Sequence, residues 1–448
     1  MHFFHYRDGH LYCEDVDLAR IATELGTPVY VYSAGKIVDH YARLNTALRP
    51  LDHLICYAVK ANSNRAILKL LADAGAGFDI VSGGELYRVL ATGSNAAKCT
   101  FAGVGKSREE IEYALKERVY SFNVESEAEL EHIDCIAGAT KTRAPIALRV
   151  NPDVDPHTHE YISTGSHKNK FGIALDRIAA TYERAAKMRN VEIVGLQMHI
   201  GSQITEATPF ANAIERVAPI VRELQTKYGI RFFSVGGGMG IVYRFALESG
   251  SGKWWHDHGG EPSAFSVRDY AEAIMAPLRE LRVRVLVEPG RFLVGNAGVL
   301  LTRVRYIKKS EAKKFAIVDG GMNDLIRPAL YQSYHEIVPV EEAKQPVGEA
   351  DSFRSSTSMS KSKTEKIDVV GPVCESGDFF ALDREMPELH EGDLLAIMSA
   401  GAYGFSMASN YNSRPLPAEV LVRGNKFALI RKRQRWDDLL REEVEPEL

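Results

Sequence analysis

Several reactive side chains follow short apolar runs of the sequence. Lys60 ends the run LICYAVK, His199 follows VGLQM, Glu288 follows RVLV, and three glycines (236–238) follow FFSV. A lysine with a lowered pKa can form a Schiff base with a carbonyl group, and consecutive glycines let backbone N–H groups approach an anion. Each feature alone also has an ordinary explanation, such as a lysine that extends to solvent or a carboxylate paired with Arg291. Their meaning depends on whether they share one site.

The elements around these residues predict that they do. Between residues 28 and 295, apolar β-rich runs alternate with helical patterns such as 64–75 and 107–118, in which apolar residues recur at helical spacing. Strands followed by helices predict a (β/α)8 barrel, and continuous apolar strands suit a parallel sheet covered on both faces. The eight runs are 54–60, 77–82, 99–103, 121–125, 146–150, 194–201, 232–238 and 284–290. Active sites of such barrels lie at the C-terminal ends of the strands, where the reactive residues lie in this sequence.

One barrel mouth would then carry an amine, a carboxylate, an aromatic face and a phosphate nest. Lys60 could hold an aldehyde, and Glu288 could keep a ring nitrogen protonated so that the ring acts as an electron sink. His199 could stack on a flat ring, and Ser202 offers a hydroxyl to a phosphate. These are the four requirements of pyridoxal phosphate. The alternatives are a packed histidine and a simple tight turn at residues 236–238.

The remainder of the chain has a different pattern. After residue 296, strand-like segments separated by turn signals predict an antiparallel β domain, formed by residues 1–27 and 296–448, with the barrel domain at 28–295. A strand-like segment, TPVYVYS, also occurs near the N-terminus. Residues 343–364 are rich in Ser and Lys and predict a mobile surface insertion. Residues 246–263 contain tryptophans and the sequence HDH, for which local packing or an interface is favoured over a metal site.

Composition excludes several classes of function. The 448 residues carry a formal net charge of -4, which argues against non-specific nucleic-acid binding and a polybasic membrane contact. No stretch of eighteen apolar residues and no secretory signal are present, so we expect a cytoplasmic protein without a membrane partner. An odd, scattered set of cysteines fits a reducing compartment: Cys13, Cys56, Cys99, Cys135 and Cys374.

An ordered series of motifs resembles that of the diaminopimelate decarboxylases, a family of fold-type III pyridoxal-phosphate-dependent enzymes. The motifs extend from about residue 25 to 425: YAVKAN, GFDIVSGGE, HIGSQI, GGGMGI, EPGR, DGGMNDLIRPALY, GPVCESGD and GAYGFSMASNYNSRP. The resemblance implies a barrel plus a β domain, and homodimers with composite active sites. It also implies decarboxylation of meso-2,6-diaminopimelate to L-lysine and CO2, through a Schiff base and a ring-stabilised carbanion that is reprotonated at Cα.

The resemblance implies a role for each matching position. The catalytic residues are Lys60 and Cys374, and Cys374 would come from the second subunit and donate the proton. The cofactor contacts are Lys60, Asp79, His199, Ser202, Gly237, Gly238, Glu288, Gly290, Arg291 and Tyr403. The substrate contacts are Arg291, Arg327, Tyr331, Glu375 and Tyr403. No metal is expected.

Three alternatives remain open. Other decarboxylases of the fold type act on ornithine, arginine or carboxynorspermidine, but two arginines (Arg291 and Arg327) suit a distal carboxylate and Glu375 suits a distal ammonium. An alanine-racemase-like enzyme would place an arginine at the ring nitrogen, where this chain has Glu288. A non-catalytic homologue would be expected to lack Lys60 or Cys374, and both are present.

Overall fold

The protein divides into two compact units. The computed structural model describes residues 3–154, 170–258, 265–342 and 364–446. One unit, here called the barrel unit, comprises residues 36–242 and 255–295. The other, the β unit, comprises residues 1–35, 243–254 and 296–448. The predicted mobile insertion at 343–364 lies outside the described residues except for its last position.

The N-terminal elements belong to the β unit. Three short strands form an antiparallel sheet: β1 (Phe4–Arg7), β2 (His10–Cys13) and β3 (Val16–Asp17). Helix α1 (Leu18–Leu25) follows at once, and its first turn is capped because the Asp17 carboxylate accepts a hydrogen bond from the Ala19 N–H at 2.8 Å. Strand β4 (Val29–Ser33) completes this part of the chain, and helix α2 (Ala34–Ala47) leads from it into the barrel unit, which begins at residue 36.

The barrel unit contains eight parallel strands that close on themselves. In spatial order they are β5 (His53–Ala58), β6 (Gly77–Ile80), β7 (Cys99–Phe101), β8 (Ser121–Val124), β9 (Ala144–Asn151), β11 (Val191–Met198), β12 (Phe232–Ser234) and β13 (Arg284–Val287), which pairs with β5. A short strand, β10 (Ile173–Ala174), pairs with β9. Each of the eight predicted apolar runs overlaps one barrel strand, and the predicted barrel is confirmed.

Helices connect the strands. Those of the barrel unit after α2 are α3 (Arg65–Asp73), α4 (Gly83–Leu90), α5 (Arg108–Glu117), α6 (Glu127–Ala139), α7 (Ile178–Ala185), α8 (Thr208–Tyr228), α10 (Val267–Arg279) and α11 (Arg291–Val294). Helices α3, α4, α5, α6 and α10 begin at a polar residue whose side chain caps the first turn. The predicted helical segments 64–75 and 107–118 correspond to α3 and α5. Helix α5 carries a full capping box, in which Ser107 and Glu110 each bind the other's backbone N–H.

The strand register separates the barrel interior into two layers. The apolar layer consists of Cys56, Ala147, Phe232 and Leu286, with Val194 packed alongside. The Phe232 ring fills the space in front of Gly195, where an added Cβ would lie 2.5 Å from ring atoms. Because strand side chains alternate, residues two positions further along face the same interior. Two positions after Ala147, Phe232 and Leu286 are the polar residues Arg149, Ser234 and Glu288. Asp79 and Gln197 follow Gly77 and Gly195 at the same spacing.

The β unit is assembled from distant parts of the chain. Its strands are β14 (Gly298–Lys309), β15 (Lys314–Val318), β16 (Ile337–Pro339), β17 (Thr364–Val370), β18 (Phe379–Pro387), β19 (Leu394–Ile397), β20 (Ala418–Arg423) and β21 (Lys426–Arg431). The main sheet has the order β18-β17-β15-β14-β4-β20-β21, with β19 paired to β14 and β16 paired to β19. The expected antiparallel arrangement is wrong at two pairs, because β15 with β17 and β4 with β20 run parallel. The short helices are α9 (Gly252–His258), at the boundary of the two units, α12 (Arg327–Tyr331) and α13 (Trp436–Leu440).

The unit boundaries differ from the expected ones in two places. Residues 28–35 belong to the β unit, because β4 pairs with both β14 and β20. Residues 243–254 also belong to it, since the Leu247 N–H donates to Glu336 at 2.9 Å and Ala246 packs in the β-unit core. In the segment 246–263, Trp254 is buried, whereas residues 259–263 lie outside the described residues.

Two kinds of feature are absent from the described residues. None of their helices combines the length and the apolar composition that a membrane-spanning helix requires. Among the same residues, no group of three or more His, Cys, Asp or Glu side chains could hold a metal ion.

Candidate active site

Lys60 lies at the mouth of the barrel. It follows β5 in a one-turn 3-10 helix, Val59–Ala61. The strand end is tied to the Glu288 segment because the Ala58 N–H donates to the Pro289 carbonyl at 3.1 Å. Lys60 is exposed, between the buried residues Val59 and Ala61, so it is not the amine buried away from water that a lysine with a lowered pKa would suggest. Its charge lowers the pKa values of Asp79, His199 and Glu288, so these groups lie within its electrostatic reach.

Glu288 is a buried carboxylate with two side-chain donors. It is 5% exposed. Ser234 Oγ donates to Glu288 Oε1 at 2.6 Å, and Gln197 Nε2 donates to Oε2 at 3.0 Å. Burial raises the pKa of Glu288, while these two hydrogen bonds act in the opposite direction by favouring the ionised form. The site therefore holds a carboxylate in a fixed orientation against the cost of its burial.

Asp79 is a second buried carboxylate of the same polar layer. Burial raises its pKa well above the ordinary value, and the charge of Glu288 raises it further. Lys60 and Arg149 act in the opposite direction. A cation placed between two buried carboxylates relieves part of their repulsion, so binding of a cationic group here is electrostatically favoured.

His199 follows β11 and is held as a neutral ring. Burial lowers its pKa well below the ordinary range, and the charges of Arg149 and Lys60 lower it further. The Gly237 N–H donates to its Nδ1 at 3.2 Å. An accepting Nδ1 places the proton of the neutral imidazole on Nε2. His199 therefore presents an uncharged, oriented ring.

The glycines after β12 form a turn that no other residue fits. Gly236 and Gly238 have φ values of 71° and 112°, which favour glycine. A Cβ on Gly237 would lie 2.3 Å from the Glu288 carbonyl oxygen, and one on Gly238 would lie 2.6 Å from the Gly201 carbonyl oxygen. The turn is joined to the loop after β11 by the hydrogen bond from the Ile204 N–H to the Gly238 carbonyl at 2.9 Å.

Ser202 and Arg291 meet beside this turn. Arg291 is buried, and its Nη2 donates to Ser202 Oγ at 3.0 Å. Arg291 begins α11 immediately after Gly290. A buried guanidinium, a hydroxyl and a glycine turn suit a phosphate group. The barrel unit thus offers an amine, a carboxylate, an oriented ring and a phosphate cradle, and this donor set fits pyridoxal phosphate.

The other predicted residues belong to the β unit. Arg327 and Tyr331 lie on α12, where Arg327 is buried and Tyr331 half-buried. Cys374 and Glu375 are exposed in the turn after β17. The buried carboxylate of Asp378 shapes this turn by accepting hydrogen bonds from the Met322 and Val373 N–H groups, each at 2.6 Å.

Tyr403 lies in the β-unit loop after β19. It is half-buried and has a φ of 56°.

Three polar residues of the barrel interior escaped the sequence analysis. Arg149 pairs with Glu125 at 2.9 Å, while Gln197 and Ser234 bind Glu288. Each interrupts an otherwise apolar strand, and Gln197 precedes His199 by two positions. Polar residues that share a strand face with a site residue are the signal that could have revealed them.

Comparison with known proteins agrees with this arrangement. The family model "Pyridoxal-dependent decarboxylase, pyridoxal binding domain" matches residues 34–295. A diaminopimelate decarboxylase from Pseudomonas aeruginosa is 48% identical over 98% of both chains. The chain belongs to the diaminopimelate decarboxylase family. A second family member, from Vibrio cholerae, is 46% identical over 98% of both chains.

Solved structures of the diaminopimelate decarboxylase family share the fold. The enzyme from Helicobacter pylori, complexed with L-lysine, has a TM-score of 0.83 at 40% identity and covers 95% of this chain and 98% of its own. The enzyme from M. jannaschii, in co-complex with L-lysine, has a TM-score of 0.86 at 35% identity and covers 99% of this chain and 98% of its own. The predicted family and the predicted barrel with a β-rich second domain are confirmed.

Proposed function

We propose that this protein uses pyridoxal phosphate to decarboxylate meso-2,6-diaminopimelate to L-lysine and CO2. The observation that carries the proposal is the grouping of Lys60, Glu288 and His199 with the glycine turn at one barrel mouth. Family members at 48% and 46% identity over nearly the whole chain support the same reaction.

Each barrel residue has a defined task in this reaction. The bound cofactor supplies an electron sink for the carbanion that remains when CO2 leaves. Lys60 provides the amine that binds its carbonyl group. Glu288 holds the proton on the ring nitrogen, for which it must be ionised, and Ser234 and Gln197 favour that state. His199 places a neutral ring against the cofactor.

The phosphate group binds at the turn beside α11. The Arg291 guanidinium holds Ser202 there, so the hydroxyl is oriented before the anion arrives. The close packing of Gly237 and Gly238 against carbonyl oxygens leaves room for the backbone alone. We assign phosphate binding to Ser202, Gly237 and Gly238 together with the backbone at Gly290 and Arg291.

Substrate recognition is assigned to charged residues. Arg291 and Arg327 bind the distal carboxylate, Glu375 binds the distal ammonium, and Tyr331 and Tyr403 complete the contacts. A guanidinium binds a carboxylate through two parallel hydrogen bonds, whereas ornithine and arginine offer no distal carboxylate for such a pair.

Cys374 is assigned as the proton donor, acting in the site of a second copy of the chain. Its exposure, together with that of Glu375, supports a contribution across a dimer interface.

We further propose a cytoplasmic location. All five cysteines are free thiols, as expected in a reducing compartment.

Two measurements test the function. Lys60→Ala should abolish both the visible absorption band of the bound cofactor and CO2 release, whereas Lys116→Ala, at an exposed position on α5, should preserve both. CO2 release from meso-diaminopimelate, L-lysine, L-ornithine and L-arginine is then compared in parallel. Faster release from ornithine or arginine would contradict the proposed substrate.

Arg327→Ala tests recognition separately from chemistry. Loss of one charged contact to the distal carboxylate should lower kcat/KM roughly a hundredfold, or about 3 kcal/mol, with the cofactor band intact. Unchanged kcat/KM would remove Arg327 from the substrate site.

A further inference from the structure

A buried histidine contacts the Arg327 guanidinium within the β unit. His335 has 0% exposure and Arg327 has 5%. Arg327 Nη1 lies 3.0 Å from His335 Nε2, and Arg327 Nη2 donates to Ser333 Oγ at 3.3 Å. The family resemblance and the sequence patterns assign no role to His335.

The protonation of His335 follows from its two partners. Arginine has only donors and keeps its charge, so Nε2 of His335 must carry the lone pair that accepts from Nη1. The ring proton is then on Nδ1, which donates to the Met398 carbonyl at 2.8 Å. The ring therefore links the guanidinium of Arg327 to the backbone of the residue that follows β19.

Tyr243 supports both side chains. The centre of the Arg327 guanidinium lies 5.0 Å from the centroid of the Tyr243 ring, and the His335 ring meets the same ring edge-on at 5.3 Å. The guanidinium is thus held by two acceptors and an aromatic face. Bidentate binding of a carboxylate needs one defined guanidinium plane, which these contacts supply in advance.

We propose that His335 is a positioning residue that fixes the plane of the Arg327 guanidinium and so contributes to selection of ligands with a distal carboxylate. The role of His335 rests on the proposed function, in which Arg327 binds that carboxylate. His335 itself touches neither cofactor nor substrate in this role.

A matched pair of variants separates the two hydrogen bonds of the ring. In His335→Asn, the side-chain amide can replace Nδ1–H and keep the bond to Met398, but it is too short to reach Arg327. In His335→Gln, the longer side chain can present an oxygen where Nε2 was, so that the bond to Arg327 is kept. Both variants lose one buried hydrogen bond, and only the first affects the guanidinium directly.

The ligands are L-lysine, which keeps the distal carboxylate, and 1,5-diaminopentane, which lacks it. Each is used as an inhibitor of the cofactor-loaded enzyme. His335→Asn should weaken inhibition by L-lysine and raise KM for meso-diaminopimelate roughly tenfold, with a smaller change in kcat, because a misplaced guanidinium loses part of its charged hydrogen bonding. Inhibition by 1,5-diaminopentane should not change, and His335→Gln should retain most of the affinity for L-lysine.

Controls distinguish positioning from general damage. Tyr32→Phe removes another buried hydrogen bond of the β unit, from the Tyr32 hydroxyl to Glu419, and should leave the preference for L-lysine unchanged. Ser333→Ala, at a half-buried position, removes the second acceptor for Arg327 and should shift the preference in the same direction as His335→Asn.

Specific outcomes would overturn the role of His335. The first is an equal loss of affinity for L-lysine and 1,5-diaminopentane in His335→Asn. The second is an equal loss of L-lysine affinity in His335→Asn and His335→Gln. The third is unchanged inhibition by L-lysine in both His335→Asn and Ser333→Ala. Arg327→Ala identifies the level of failure. If it leaves the preference for L-lysine unchanged, the proposed role of Arg327 fails as well; if it removes the preference, only the positioning role of His335 fails.

Discussion

Removal of the Ser234 hydroxyl should make Glu288 harder to ionise. Burial already raises the pKa of this carboxyl group, and the hydrogen bond from Ser234 Oγ at 2.6 Å opposes that rise. Ser234→Ala deletes the donor, while Gln197 still donates at 3.0 Å. The pKa of Glu288 should therefore move further up, and the carboxylate should be less able to hold a proton on a ring nitrogen.

The size of the effect follows from the charge of the acceptor. A hydrogen bond to a charged group contributes about 1.5–3 kcal/mol. One pKa unit corresponds to about 1.36 kcal/mol, so the pKa of Glu288 should rise by roughly one to two units. The pKa of Glu288 is higher in the folded protein than its ordinary value of about 4.3, which applies to the unfolded chain. Protonation of Glu288 therefore contributes its full stabilisation below about pH 4.3, and this contribution is lost as the pH rises through the folded-state pKa. The destabilisation caused by Ser234→Ala should accordingly grow with pH.

Infrared difference spectroscopy of the cofactor-depleted protein can follow this titration directly. The carboxylic-acid band of Glu288 is assigned by its loss in Glu288→Gln, and Asp79→Asn identifies the band of the neighbouring acid. In Ser234→Ala the Glu288 band should persist to a pH higher by roughly one to two units. Thermal unfolding at pH 5 and pH 8 should show the larger difference from the parent protein at pH 8.

Ser121→Ala is the matched control. Its hydroxyl also lies inside the barrel but donates to Asn123 at 3.2 Å, away from Glu288. An unchanged Glu288 titration in Ser234→Ala, or an equal shift in Ser121→Ala, would refute the view that this single donor sustains ionisation of Glu288.

Two further substitutions test the packing of the site. Gly237→Ala would place a Cβ 2.3 Å from the Glu288 carbonyl oxygen, so the dissociation constant for pyridoxal phosphate should rise at least about tenfold. Gly105→Ala, with no atom within 4 Å of its Cβ, should leave this constant unchanged. Equal titration curves for the two variants would contradict phosphate binding at the glycine turn. Gly195→Ala would force a Cβ against the Phe232 ring and should cost about 1–3 kcal/mol of unfolding free energy in denaturant titrations. If Gly195→Ala leaves the free energy of unfolding unchanged, the Phe232 ring can move aside without cost and the packing argument is wrong.

The sequence made the barrel predictable because its strands are local features. A parallel strand buried on both faces is a mainly apolar run, so β5 and β13 can be identified without knowing their neighbours. Active sites of such barrels lie at the C-terminal ends of the strands, and this regularity predicted that Lys60, His199 and Glu288 share one site.

Other features depend on pairing between distant residues. No local pattern indicates that β4 lies between β14 and β20, so the expected domain boundary fell a few residues too early. The donors to Glu288 come from β11 and β12 and only meet it once the barrel closes. The contact of His335 with Arg327 depends in the same way on how a loop folds back, although the two residues are eight positions apart. The roles of the β-unit candidates stay predictions.

The position of β4 has a consequence for biosynthesis. This strand is made before both of its neighbours, β14 and β20. At roughly 5–20 residues per second, both edges of β4 stay unpaired until β14 is made, and one edge stays unpaired until β20 follows, on the order of tens of seconds after β4. The barrel residues are complete before β20 is made, so the barrel can fold while one edge of β4 is still open to pairing with other nascent chains. Truncation before Ala418 should therefore give aggregates rather than a smaller folded enzyme.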